Sequence, residues 1–154
     1  MSEYAMFYAR DDKSDHWVEL SCNCRSSVMF QTVKSRLEYY SWVELTANDL
    51  RDIIAEVTDF ITSVEKRIAQ YHDDIEFLKT LGGSVPLDEI INRRDEYMAD
   101  IADSAEVLVE YEAVRNELEV YRQILDNSAY SSNKTHICLA HECNPNGPNT
   151  DDED

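Results

Sequence analysis

Thiols and imidazoles gather near both ends of this chain. Cys22-Asn23-Cys24 lies early, and His136-x-Cys138-x-x-His141-x-Cys143 lies late. Zinc takes four such ligands in a tetrahedron. Cys22, Cys24, Cys138 and Cys143, with His141 as an alternative ligand, could therefore supply a Cys₄ or Cys₃His site if the two ends meet in one sheet. The single-residue and four-residue spacings differ from the paired Cys-x₂-Cys knuckles of zinc ribbons. A disulfide and ordinary buried thiols thus stay open beside zinc.

Other chemistry finds little support. The chain has only three glycines and no phosphate-cradling loop, nucleophile elbow or His-Glu-x-x-His helix. His16, His72, His136 and His141 form no base-and-orienter pattern, although a Cys-His pair in the terminal segments stays open. The expectation is a protein that is not an enzyme and needs no cofactor other than the zinc considered above.

Carboxylates form the second pattern. Glu89, Glu96, Asp103, Glu110 and Glu117 recur every seven residues, with Asp100 and Glu106 alongside. On a helix each repeat advances about 10 Å along one face. The chain carries 32 acidic and 14 basic side chains, a net charge of -18. Residues 1–45, 46–126 and 127–154 contribute -2, -12 and -4, so two-thirds of the excess lies on the central segment. A row of carboxylates can occupy a cationic groove that otherwise receives phosphates, since the same lysines and arginines pair with either anion.

The bland alternative is a solvated helix face. Such a face normally mixes Lys and Arg with Glu for support between neighbouring turns, and here like charges accumulate instead. The leading expectation is therefore an acidic, non-enzymatic binding protein that occupies the basic, nucleic-acid-binding surface of a partner protein. It would act as an inhibitor or DNA mimic of the kind a phage or mobile element uses, and would not bind nucleic acid itself. The runner-up is a structural or assembly protein that oligomerises through its helices. A zinc-dependent or ligand-binding head at the Cys/His cluster comes third.

The elements that must carry these residues are legible from periodicity. Apolar residues at Leu50, Ile54, Val57, Ile61, Val64, Ile68, Tyr71, Ile75 and Leu78 alternate by four and three, which is a coiled-coil seam. Thr46 with Asp49 has the form of a capping box at its start. Gly82, Gly83, Ser84 and Pro86 interrupt the pattern. A second helix follows, with Ser84 as its cap, Pro86 in its first turn and apolar positions from Leu87 to Leu125. Its spacing shifts near Leu108, Tyr111 and Val114, and Arg94, Arg115 and Arg122 stand where a heptad wants apolar groups, placed to pair with carboxylates of the neighbouring helix.

Around this pair the ends read as strands. Glu3–Arg10 and His16–Leu20 flank a polar loop as a hairpin, Ser26 could cap a short helix carrying Met29, Phe30, Val33 and Leu37, and Tyr39–Leu45 and His136–His141 complete a small sheet. Tyr4, Phe7, Tyr8, Trp17, Tyr39, Tyr40 and Trp42 are assigned chiefly to its core. The expected fold is α+β and helix-dominated. A head of residues 1–45 plus 128–143 joins an antiparallel helical hairpin of 46–127, and residues 144–154 form a disordered acidic tail. Ile53, Phe60, Phe77, Val107 and Tyr121 are left over by the seam, so the head or a second copy should cover them, and a homodimer of hairpins is expected. No run of apolar residues suits a membrane span, and the start lacks a signal-peptide pattern, which places the protein in the cytoplasm, or in a host's cytoplasm if a phage encodes it.

Overall fold

The computed structural model describes residues 5–20, 27–37, 41–141 and 148–149. In chain order the elements are β1 (Ala5–Asp11), β2 (Val18–Glu19), α1 (Ser27–Leu37), β3 (Trp42–Leu45), α2 (Ala47–Lys79), α3 (Leu87–Ser128) and β4 (Thr135–His141). Helix dominates, and the strands form one antiparallel sheet in the order β2-β1-β4-β3. The two ends of the chain meet as expected: β1 pairs with β4 along its whole length, from Ala5 opposite His141 to Asp11 opposite Thr135. Two long helices, α2 and α3, pack against each other. The chain divides into two compact units, one of Thr58–Glu112 and the other of Met1–Val57 with Ala113–Asp154.

Side-chain alternation gives the sheet two buried faces. On one, Phe7, Ile137 and Leu139 are fully buried, with Phe7 4.6 Å from the Tyr121 ring of α3 and His141 edge-on to Phe30 of α1 at 5.3 Å. On the other lie Cys138, Ala140, Arg10 and Trp42. Trp17 lies against two of them, 6.0 Å from Trp42 and with the Arg10 guanidinium 5.0 Å from its ring centroid. Within the segment read as a disordered tail, the Asn149 side-chain amide donates to the Trp17 carbonyl and its oxygen accepts from the Trp17 N–H, both at 2.7 Å. That pair of hydrogen bonds completes a backbone edge much as a paired strand would. Phe7, Trp17 and Tyr8 take the core or half-buried places expected of them, whereas Tyr4, Tyr39 and Tyr40 lie outside the described residues.

The polar loop after β1 is built by its own aspartate: Asp11 accepts from the Lys13 N–H at 2.9 Å through its side chain and from the Ser14 N–H through its carbonyl. This side-chain turn replaces the missing glycine signal. The capping box forms reciprocally, with the Thr46 N–H donating to the Asp49 carboxylate at 2.9 Å and the Asp49 N–H to the Thr46 hydroxyl at 3.0 Å. At α3 the Pro86 carbonyl accepts from Glu89 and Ile90, which puts Pro86 at the cap rather than in the first turn. Ser84 sits instead in the preceding turn, bonded by its N–H to Leu81.

Burial along the helices differs between the units. In the first, α2 buries Leu50, Ile53 and Val57 and α3 buries Val114, Leu118 and Tyr121, a wide stripe that the sheet covers as well as the partner helix. In Thr58–Glu112 only Ile61, Val64 and Ser104 are buried, while Ile68, Tyr71, Ile75 and Leu78 are half-buried because one neighbouring helix covers them. Phe60 stacks 4.4 Å from Tyr111, and Tyr71 lies 5.9 Å from Tyr97. The arginine expectation changes in detail. Arg122 pairs with Glu119 and Asp126 of its own helix, and Arg51 of α2 is the residue that crosses to Asp126, at 2.7 Å.

Of the side chains left over by the seam, Ile53 is fully buried within the chain and Phe77 is 62% exposed. In urea, Ile53→Ala should cost about 2–5 kcal/mol through its cavity, and Phe77→Ala less than about 0.5 kcal/mol. Equal losses at the two positions would refute this packing.

Candidate functional site

The carboxylates singled out by spacing separate into two groups. Glu89, Glu96, Asp100, Asp103, Glu106 and Glu110 are all exposed on α3 within Thr58–Glu112. Glu96 accepts from Arg93 at 2.7 Å, and the Arg93 guanidinium also lies 5.7 Å from the Tyr97 ring centroid. Arg93, Glu96, Tyr97, Ala99 and Asp100 line an open depression of about 430 Å³. The Glu96 carboxylate beside it holds the Arg93 guanidinium above its ordinary range. Among the described residues, Asp100, Asp103, Glu106 and Glu110 have no ion-pair partner.

Glu117 departs from this face. It is only 9% exposed and accepts a hydrogen bond from the Tyr121 hydroxyl. The cause is geometric. The inward apolar spacing runs Tyr97, Ile101, Ser104, Leu108 and Tyr111, then drops a residue to Val114, Leu118, Tyr121 and Leu125. Added to the drift of a straight helix against a seven-residue repeat, that step turns the inward face by roughly a quarter of a turn. The rotated face reaches the carboxylate line at Glu117. Six residues of the expected stripe therefore share an exposed face, and the seventh is inside.

The sulfur cluster resolves differently. Cys22, Cys24 and Cys143 lie outside the described residues. Cys138 is fully buried, and burial pushes its thiol up to about 12. Its place three residues before His141 in β4 puts the two side chains on opposite faces of the sheet. The structure does not bring this pair together. Among the described residues no three His, Cys, Asp or Glu side chains gather as a metal-holding group, and no helix is long and apolar enough to cross a membrane.

A constellation that spacing did not reveal surrounds His136. Its Nε2 lies 2.6 Å from an Asp12 oxygen and its Nδ1 2.8 Å from a Glu44 oxygen, so one imidazole ties β3 and β4 to the end of β1. Asp12 is held in turn by the Lys134 N–H at 2.9 Å. Hydrogen bonds first to Asp12 and then to Glu44 raise the His136 value above its ordinary 6.5, while burial and Arg10 oppose the rise. The bond to His136 likewise lowers Asp12. Beside the cluster, Thr46, Ala47, Leu125, Lys134 and Thr135 line an open cleft of about 350 Å³. With a carboxylate on each nitrogen, the charged imidazolium is the bonded form and no lone pair is left to act as a base. The arrangement is a cross-link. In the sequence it was hidden because its three members are far apart and meet only through strand register.

No protein-family model, curated protein or solved structure matches the chain.

The imidazolium cross-link makes stability depend on pH with a defined sign. The His136 contribution is complete below 6.5 and is lost as pH rises through its raised folded value. The Asp12 contribution is present above 3.8 and is lost as pH falls through its depressed folded value. The urea-midpoint difference between the native chain and His136→Gln should therefore be largest between these limits and shrink toward about pH 9. A difference that stays constant from about pH 5 to about pH 9 would exclude the charged cross-link.

Proposed function

We propose that this chain is a non-enzymatic binding protein whose acidic α3 face engages a basic surface of a partner protein. The observation that carries the reading is one helix face on which Glu89, Glu96, Asp100, Asp103, Glu106 and Glu110 are all exposed, with Arg93 the base paired among them. Parallel neighbours of one sign repel, so such a face is stabilised when it meets lysines and arginines. A regular helix holds these groups at fixed intervals, which suits a groove shaped for a phosphate chain. A partner that handles nucleic acid would then lose that groove to the protein, an inhibitor or DNA-mimic mode of action. The acidity also disfavours direct nucleic-acid binding, because phosphates would be repelled.

A second reading, assembly through the helices, is favoured by a separate observation. Phe77, Leu87, Met98 and Val109 are each more than half exposed, which a helix pair in isolation has no reason to maintain. The homodimer expected from the sequence belongs to this reading, and the two functions are compatible on one chain.

Changing Glu96, Asp103 and Glu110 together to Gln tests the first reading. Capture of partner proteins at low ionic strength should fall by about tenfold or more, and capture by the native chain should weaken steeply with added salt. Capture indifferent to both changes would reject the acidic face as the contact.

A further inference from the structure

Four large apolar side chains on α3 are conspicuously solvent-facing: Leu87 at 69%, Met98 at 51%, Val109 at 67% and Val120 at 52%. They recur every eleven residues, which is close to three helical turns, so they fall on a single line. Ala102 and Ala105, both exposed, lie on the same line between Met98 and Val109. This face sits roughly a third of a turn from the side that packs on α2, and on the other flank from the acidic row. The helix thus has three distinct faces, of which one is occupied within the chain.

The apolar line is symmetric about its own centre. Met98 and Val109, Ala102 and Ala105, and Leu87 and Val120 all share one midpoint, between Asp103 and Ser104. A two-fold axis at that point would set Met98 against the partner's Val109 and Ala102 against the partner's Ala105. Large residues would then close on large ones on either side of a centre where the two alanines let the helices approach. Charges agree with this register. Arg94 and Glu112 are eighteen residues apart, or five turns, and so share the flank nearest α2. Reversal about the same midpoint carries Arg94, which also pairs with Asp95 of its own chain at 3.2 Å, beside the partner's Glu112 twice over. The opposite flank bears Asp95 and Glu106, which contribute like-charge repulsion that added salt screens.

Resting on the assembly reading, we propose that the exposed apolar face of α3 is an interaction surface for a second copy of this chain, joined antiparallel across a two-fold axis between Asp103 and Ser104. Two chains of net charge -18 repel at long range, so the apolar contact strengthens with added salt, opposite in sign to capture of a basic partner. The contact leaves Glu89, Glu96, Asp100, Asp103 and Glu110 free, with Glu106 at its border, and a dimer presents that row twice.

Sedimentation of the full chain at moderate salt tests the register, with circular dichroism to confirm that each variant keeps its helices. The native chain should be dimeric, and Met98→Lys or Val109→Glu alone should weaken association by about tenfold or more. The double variant Met98→Lys with Val109→Glu should recover it, because antiparallel pairing sets each new lysine against the partner's new glutamate, a contact that parallel pairing would replace by like charges. A native chain that stays monomeric would overturn self-assembly altogether. A dimer indifferent to both single changes would overturn this face while leaving self-assembly standing, and failure of the double variant to recover would overturn the antiparallel register.

Discussion

The spacing step between Tyr111 and Val114 is the constraint on which the division of α3 into buried and exposed faces depends. A helix that kept one inward line from end to end would present the same faces throughout, and the carboxylates recurring every seven residues would stay on one side of it. Dropping a residue turns the inward line by roughly a quarter of a turn over the last four turns. The division between the two compact units falls at Glu112 and Ala113, inside that step. Above it α3 has one helical neighbour and keeps two exposed faces. Below it α3 also serves the sheet, buries Val114, Leu118 and Tyr121, and takes Glu117 inside with them.

The sheet explains why the second regime is needed. Strand β4 is central, and both of its faces are filled, by Ile137 and Leu139 on one side and by Cys138 and Ala140 on the other. A small sheet buried on two faces needs a layer on each. On one, Phe7 reaches the Tyr121 ring and Phe30 reaches His141, so α1 and the last turns of α3 supply the cover. On the other, Trp17 and Asn149 do so through an aromatic lid and a side-chain amide. At its charged end the sheet is closed by His136 between Asp12 and Glu44, so even a polar rim spends its donors on holding strands together.

Much of this was legible in the sequence because it is periodic. The four-three alternation from Leu50 gave α2 its inward side, the capping box gave its start, and aromatic alternation marked the strands at both ends of the chain. What escaped was whatever depends on counting more than one period at once. Ser104 holds an inward position that a search for apolar residues passes over, and Ala105 beside it is exposed. Leu87 and Met98 are apolar like their inward neighbours, yet the eleven-residue spacing places them on another face. Glu117 was assigned outward because it is charged and in phase. In each case angle along the helix, not residue type, decides the face.

The same geometry bears on how an acidic face and an apolar face can share one helix. Along Thr58–Glu112 the charged line and the apolar line occupy different arcs, so each can be covered without the other. Their electrostatic responses differ in sign: salt screens attraction between the carboxylates and a cationic partner, and screens repulsion between two copies of the chain. The two proposed contacts would therefore be separable by ionic strength alone. If the copies join across Asp103 and Ser104 as proposed, reversal about that point places the carboxylate rows of the two copies in opposite polarity. A partner reading the pair would meet a surface with two-fold symmetry, and a partner that is itself a symmetric dimer would be matched by it without any further contact being required.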